Sequence, residues 1–181
     1  QQAVLHKMPQ KKLDLMLRLP IISGIVKKKI LTTLGLDQCV MAISGAAPIP
    51  ADLLRWYVRI GLKIAEGYGL TENCALSHIT TPGEDIGTVG RPYDGVACRL
   101  DPASGEILVE SAATMTGYYR QPELTHQVFT DDGFFRTGDK GSIDAGGNLK
   151  ITGRVKDLFK TSKGKYVAPS PIEDRLVMHE I

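Results

Sequence analysis

The chain has 181 residues, 43% hydrophobic and 23% charged, an ordinary globular composition that can bury one sizeable core or two small ones. A formal net charge of +2 selects no partner by bulk electrostatics, and no apolar run approaches the ~20 residues that span a bilayer. Cys39, Cys74 and Cys98 form no Cys-x-x-Cys pair, which points to reduced thiols in a cytosolic protein rather than a disulfide framework. His6, His78, His126 and His179 are too scattered for a zinc site.

Residues 10–34 are predicted to form two short helices separated near Pro20. Leu13, Met16 and Leu17 share one face, Ile22, Val26 and Ile30 another, and Gly35 suits the stop. Lys27, Lys28 and Lys29 form the one basic cluster. It reads as a solvated helix face, with a foothold on anionic lipid as the sharper alternative. The apolar run Cys39–Ile43 is predicted as a buried strand. A helix over residues 50–60 follows, with Pro50 in its first turn, Leu53, Leu54, Tyr57 and Ile60 on one face, and Gly61 after its end. Residues 63–66 then read as a second strand. Strand, helix, strand in so short a span is a βαβ unit, whose ligands sit beyond the carboxyl ends of its strands.

After Pro82 the pattern changes to short alternating segments: 96–100, 107–111, 141–144 and 149–152. Ala145-Gly146-Gly147-Asn148 reads as a hairpin turn, and 122–127 as one helical turn. Residues 153–157 read as a junction. Residues 158–177 restart with a strand, a Lys/Gly turn and a helix from Pro171. The chain begins at Gln1 without an initiator Met and stops at Ile181 inside that predicted helix, so it is expected to be a piece of a longer polypeptide.

Three runs carry the chemistry. They are Glu66-Gly67-Tyr68-Gly69-Leu70-Thr71-Glu72, then Phe134-Phe135-Arg136-Thr137-Gly138-Asp139-Lys140-Gly141, then Gly153-Arg154-Val155-Lys156-Asp157. Ser44-Gly45-Ala46-Ala47-Pro48 precedes them. In this order and at these gaps they resemble the nucleotide-site signatures of the adenylate-forming superfamily, which holds acyl-CoA synthetases, luciferases and peptide-synthetase adenylation domains. The resemblance covers nearly the whole chain. It implies an α/β architecture followed by mostly-β: part of a parallel-sheet α/β subdomain over 1–82, a small distorted β-barrel over 83–155, and the start of a C-terminal lid from 156 to 181.

It also implies roles. Adenine would sit between the small-residue loop Gly45-Ala46-Ala47 and the ring of Tyr68, beside Gly69; read alone, the loop is a strand-to-helix turn. Thr71 would donate to an α-phosphate oxygen, and Glu72 would serve as an oxygen ligand of Mg²⁺. Asp139 would take both ribose hydroxyls, although Gly-Asp is also a frequent turn pair. Arg154 would contact ribose or phosphate, Lys156 would be the hinge of the lid, and Lys160 would meet the active site in the second half-reaction. Lys163 and Lys165 equally fit a solvated turn.

Two family elements lie outside this stretch: the Ser/Thr/Gly-rich phosphate loop and a late lid lysine. The expected function is therefore a segment of a fatty acyl-CoA synthetase, inactive alone, using ATP, Mg²⁺ and coenzyme A. The preference for a fatty acid rests on Lys160 to Glu173, with its Val167-Ala168-Pro169 run. Another acid, a carrier-protein thiol as acceptor, or a non-catalytic nucleotide-binding module are the alternatives.

Overall fold

The computed structural model describes residues 10–47, 49–155, 159–160 and 166–167. Helix α1, Gln10–Arg18, is followed by α2, Pro20–Thr33. Pro20 stands in the first turn of α2, where a missing N–H leaves no intrahelical bond unmade. Helix α3, Ala51–Ile60, ends in a two-bond cap: the Gly61 amide donates to the Val58 carbonyl and the Leu62 amide to Tyr57. The cap needs a left-handed residue, and Gly61 supplies it at φ +96°.

The three helices share one core of Leu13, Val26, Ile30, Trp56 and Ile60. Each such burial is worth roughly 1.5–3 kcal/mol. Ile22, expected beside Val26 and Ile30, is instead 40% exposed. Steps of four residues rotate about 40° each around a helix, so the stripe has left the contact face by the third member. Trp56 takes a core place that the expected α3 face omitted, and its ring meets Tyr57 edge-on at 5.1 Å.

Strand β1, Ala42–Ser44, runs parallel to β2, Ile64–Tyr68, with α3 as the crossover. Antiparallel β3, His78–Ile79, and β4, Arg91–Pro92, complete a mixed sheet in the order β1-β2-β3-β4, so only its first pair is parallel. The predicted burial of Cys39–Ile43 is corrected here. Val40 is fully exposed, Met41 is 72% and Ile43 56% exposed, because among the described residues β1 has a strand on one side only. An apolar run cannot by itself distinguish a covered strand from an edge.

The second sheet is antiparallel: β5, Ala97–Leu100, β6, Glu106–Glu110, β7, Phe135–Ile143, and β8, Leu149–Arg154. Its core is Ile107, Val109, Phe135 and Leu149. Beyond β8 the pairing continues onto the segment entering β4: the Val89 amide donates to the Leu149 carbonyl and the Leu149 amide to Gly90. This curls the sheet back toward the first one. Gly90 lies so close to β3 that a Cβ would fall 2.1 Å from the Ile79 carbonyl oxygen.

Strand β7 starts at Phe135, six residues before the expected 141, so Arg136-Thr137-Gly138-Asp139 lies within a strand and not at a turn. The alternation was hidden because Gly138 sits at φ +75° and the register shifts between Lys140 and Gly141. The Ala145–Asn148 turn does join β7 to β8, with the Asp144 carboxylate accepting from the Gly146 and Asn148 amides. Helix α4, Pro122–Val128, precedes β7. Strands β9, Phe159–Lys160, and β10, Tyr166–Val167, form an antiparallel pair. The helix expected from Pro171 lies outside the described residues. No described helix is long and apolar enough to cross a membrane.

Candidate active site

Because β1 and β2 are parallel, with Ser44 level with Glu66, the chain leaves both strands at the same sheet edge. Gly45-Ala46-Ala47 and Tyr68–Glu72 therefore emerge side by side. At Gly45 a Cβ would lie 3.1 Å from the Gly67 carbonyl oxygen, so the loop rests closely against β2 and a larger residue would require that backbone to shift by a few tenths of an ångström. The Ala47 amide donates back to the Gly45 carbonyl, and Ala46 is held at φ +66°. A left-handed alanine costs about 1–2 kcal/mol, which the loop absorbs to keep its small, flat profile.

Tyr68 reaches across to the second sheet. Its hydroxyl donates to Asp139 Oδ2 at 2.8 Å, while Arg154 Nε donates to Asp139 Oδ1 at 3.0 Å. Asp139 and Arg154 are register partners on β7 and β8, so the ion pair follows from the strand pairing. Asp139 is only 7% exposed. Its amide donates to the Thr137 hydroxyl, which donates in turn to the Ile107 carbonyl. Burial pushes the Tyr68 phenol above its ordinary range, and the neighbouring Asp139 carboxylate adds to the rise while Thr137 opposes it, so Tyr68 is a neutral donor.

Behind the Tyr68 ring lies His78, with centroids 6.1 Å apart. His78 is buried beside Ser77, whose hydroxyl is 2.9 Å from Nδ1. Burial drives its pKa down to about 4, so the ring is neutral. Glu66, on β2, is also buried, and burial raises its carboxyl above the usual range.

The segment after Tyr68 folds tightly. A Cβ on Gly69 would come within 2.4 Å of the Ala75 backbone. Asn73 Oδ1 accepts from the Leu70 amide, closing a 3₁₀ turn over Thr71–Asn73. Thr71 is exposed and Glu72 half-buried. Glu72 Oε1 accepts from the Tyr118 hydroxyl at 2.8 Å, and the Glu72 carbonyl accepts from the Met115 amide at 2.7 Å.

Of the residues singled out in the sequence, Tyr68, Asp139 and Arg154 are thus bonded to one another. Gly45, Ala46, Ala47 and Gly69 flank them at the sheet edge, and Thr71 and Glu72 follow in the next turn. Lys160 stands on β9, opposite Tyr166. Lys156, Lys163 and Lys165 lie outside the described residues. Tyr118, Thr137 and His78 were not foreseen. Their partners are 46 residues away, on another strand or on a neighbouring strand, and no local pattern announces such contacts.

The donor set fits a nucleotide. A bulk-free loop and an aromatic ring can hold a planar base, a carboxylate can accept from ribose, and a guanidinium can meet ribose or phosphate oxygen. Among the described residues no group of three or more His, Cys, Asp or Glu side chains could hold a metal ion. Glu72 is then a single carboxylate, which suits Mg²⁺ because that ion keeps waters and substrate phosphate as its other ligands.

Residues 5–119 match the AMP-binding enzyme family. The chain belongs to that family. Relatives of this AMP-binding chain include the long-chain-fatty-acid–CoA ligase FadD15 of Mycobacterium bovis, 41% identical over 162 residues, 89% of this chain and 26% of the relative. Long chain acyl-CoA synthetase 3 of Arabidopsis thaliana is 35% identical over 86% of this chain and 25% of its own length. The chain therefore spans about a quarter of the curated relatives it matches. Among solved structures, ATP-bound MatB from Rhodopseudomonas palustris superposes with a TM-score of 0.72 and 35% identity, over 95% of this chain and 38% of that one. O-succinylbenzoate coenzyme A synthetase (MenE) from Bacillus subtilis, in complex with ATP and magnesium ion, gives 0.70 and 25%, over 84% and 35%.

Proposed function

We propose that this AMP-binding segment belongs to a longer fatty acyl-CoA synthetase and builds the nucleotide half of its active site. The parent reaction joins a fatty acid to ATP, releasing pyrophosphate, and then passes the acyl group to coenzyme A. The choice of a fatty acid is supported by the names of the relatives, FadD15 among them. Residues 1–82 would complete an α/β subdomain, 83–155 a β-barrel subdomain, and 156–181 would open the lid. A cytosolic location is proposed with it, in keeping with three free cysteines. Nothing beyond the exposure of Lys28 and Lys29 supports a foothold on anionic lipid.

The observation that carries the proposal is the Tyr68–Asp139–Arg154 cluster at the mouth of the two sheets. In this reading Gly45-Ala46-Ala47 and Tyr68 hold the base flat, and Asp139 accepts from the ribose. Arg154 balances the charge of Asp139 and reaches ribose or phosphate. Thr71 donates to the α-phosphate, and Glu72 offers the oxygen ligand for Mg²⁺. These contacts hold two anionic reactants in line, which is where most of the rate of such a transfer arises. Magnesium would supply charge neutralisation at the phosphates. Lys156 would be the lid hinge and Lys160 would serve the thioester step. The 181-residue segment by itself is proposed to be inactive, because it carries no Ser/Thr/Gly-rich phosphate loop.

The test is Asp139→Asn in the full-length enzyme. ATP and AMP share the ribose, so both should weaken together, by about ten- to a hundredfold for one lost charge-assisted hydrogen bond. A folded variant with unchanged affinity for both nucleotides would reduce Asp139 to a structural tie between the sheets.

A further inference from the structure

Glu72 is not oriented by its own loop. Its side chain and its backbone are each held by the segment that follows β6. The Tyr118 hydroxyl donates to Oε1 at 2.8 Å, and three residues earlier the Met115 amide donates to the Glu72 carbonyl at 2.7 Å. One short segment thus holds Glu72 twice, by its backbone carbonyl and by one carboxylate oxygen, with Tyr118 46 positions distant in sequence.

The segment is itself anchored. The Tyr118 amide donates to the Thr125 hydroxyl at 2.9 Å, and that hydroxyl donates to the Gln121 carbonyl. Gly117 lies at φ +153°, and a Cβ there would fall 2.7 Å from Thr125 Cγ2. Close packing against α4 thus sets where the Tyr118 ring stands. Helix α4 in turn touches β7, the strand that carries Asp139.

We propose that Tyr118 is a positioning residue for Glu72: its phenol holds Oε1 so that the carboxylate presents Oε2 to a divalent cation bound with the nucleotide's phosphates. The proposal rests on the reading of Glu72 as the cation's ligand. A half-buried carboxylate without this bond would sample several rotamers, and ordering one of them would cost part of the free energy of cation binding.

The test uses the full-length enzyme that carries this segment, with Mn²⁺ as probe. Binding of Mn²⁺ in the presence of ATP is read by electron paramagnetic resonance, and the half-saturating Mg²⁺ is read in acid-dependent pyrophosphate exchange. Tyr118→Phe should weaken Mn²⁺ about tenfold, the effect of one hydrogen bond to a charged group. It should raise the Mg²⁺ requirement in parallel, with the lost rate recovered as Mg²⁺ is increased. Thr125→Val, which leaves both Tyr118 and Glu72 in place, should shift both readouts in the same direction by less.

Glu72→Gln should weaken Mn²⁺ at least as much as Tyr118→Phe, and the double variant should be no worse than Glu72→Gln alone. Wild-type Mn²⁺ affinity in Tyr118→Phe, with Glu72→Gln impaired, overturns the positioning role and leaves the metal role of Glu72 standing. Unchanged affinity in Glu72→Gln removes that metal role, and this inference falls with it. If Tyr118→Phe does not fold, Thr125→Val decides: a shift in Mn²⁺ affinity supports the proposal and no shift overturns it.

Discussion

Tyr68 and Asp139 stand 71 residues apart in sequence, yet a 2.8 Å hydrogen bond joins them and ties β2 of the mixed sheet to β7 of the antiparallel one. The carboxylate also receives Arg154 from β8. One buried side chain thus gathers three strands of two sheets. A nucleotide entering here would meet donors and acceptors already fixed in place, which lowers the ordering cost of binding.

Removing only the Tyr68 hydroxyl tests that tie. Tyr68→Phe keeps the ring and its packing against the second core but takes one donor from a buried carboxylate. Stability should fall by about 1.5–3 kcal/mol, the range for a hydrogen bond to a charged group. Urea unfolding with an unchanged m-value would report it as a lower midpoint. A midpoint equal to wild type would show that the two sheets are held together elsewhere.

Two glycines should respond oppositely to the same change. Gly69→Ala places a methyl 2.4 Å from the Ala75 backbone, which cannot move without undoing the 3₁₀ turn. A loss of about 3 kcal/mol or more is expected, at the upper end of overpacking effects. Gly24→Ala, inside α2 with nothing within 4 Å, should instead stabilise by about 0.5–1 kcal/mol. Thermal melts of the pair settle both signs, and equal shifts would contradict the packing described at residues 69–75.

Acid should weaken the fold through His78. Its pKa is depressed to about 4 by burial, against an ordinary 6.5, so the unfolded chain takes up the proton first as pH falls. The stability tied to the neutral ring is therefore complete above pH 6.5 and is lost as pH drops through about 4. Its full size is on the order of 3 kcal/mol. Glu66 works the other way, because its raised carboxyl relieves a buried charge on protonation. Comparing wild type with His78→Gln across pH 7.5 to 4.5 isolates the histidine, and the variant should show the flatter profile. Parallel profiles would mean that His78 gains its proton without cost.

The elements proposed for the nucleotide could be named from the sequence because each is short and local. The Tyr68–Glu72 run and the Gly45–Ala47 loop follow two strands whose parallel pairing the βαβ pattern already implied. Asp139 and Arg154 were legible as residues but not as a bonded pair, since β7 hides its alternation behind Gly138 and the shift at Lys140–Gly141. The exposure of Val40, Met41 and Ile43 was misread because hydrophobicity reports preference and not the presence of a neighbour. The grip of Tyr118 on Glu72 was invisible, because it depends on how α4 and the segment after β6 pack.

That open flank of β1 has a practical consequence. Among the described residues one row of its amides and carbonyls faces no strand, and with Val40, Met41 and Ile43 beside it this edge is a template for strand addition between molecules. No proline or charged residue interrupts Cys39–Ser44 to blunt it. The 181-residue chain produced by itself should self-associate through this edge as its concentration rises. A single lysine in place of Val40, outside both cores, should restore monodispersity without touching the nucleotide residues.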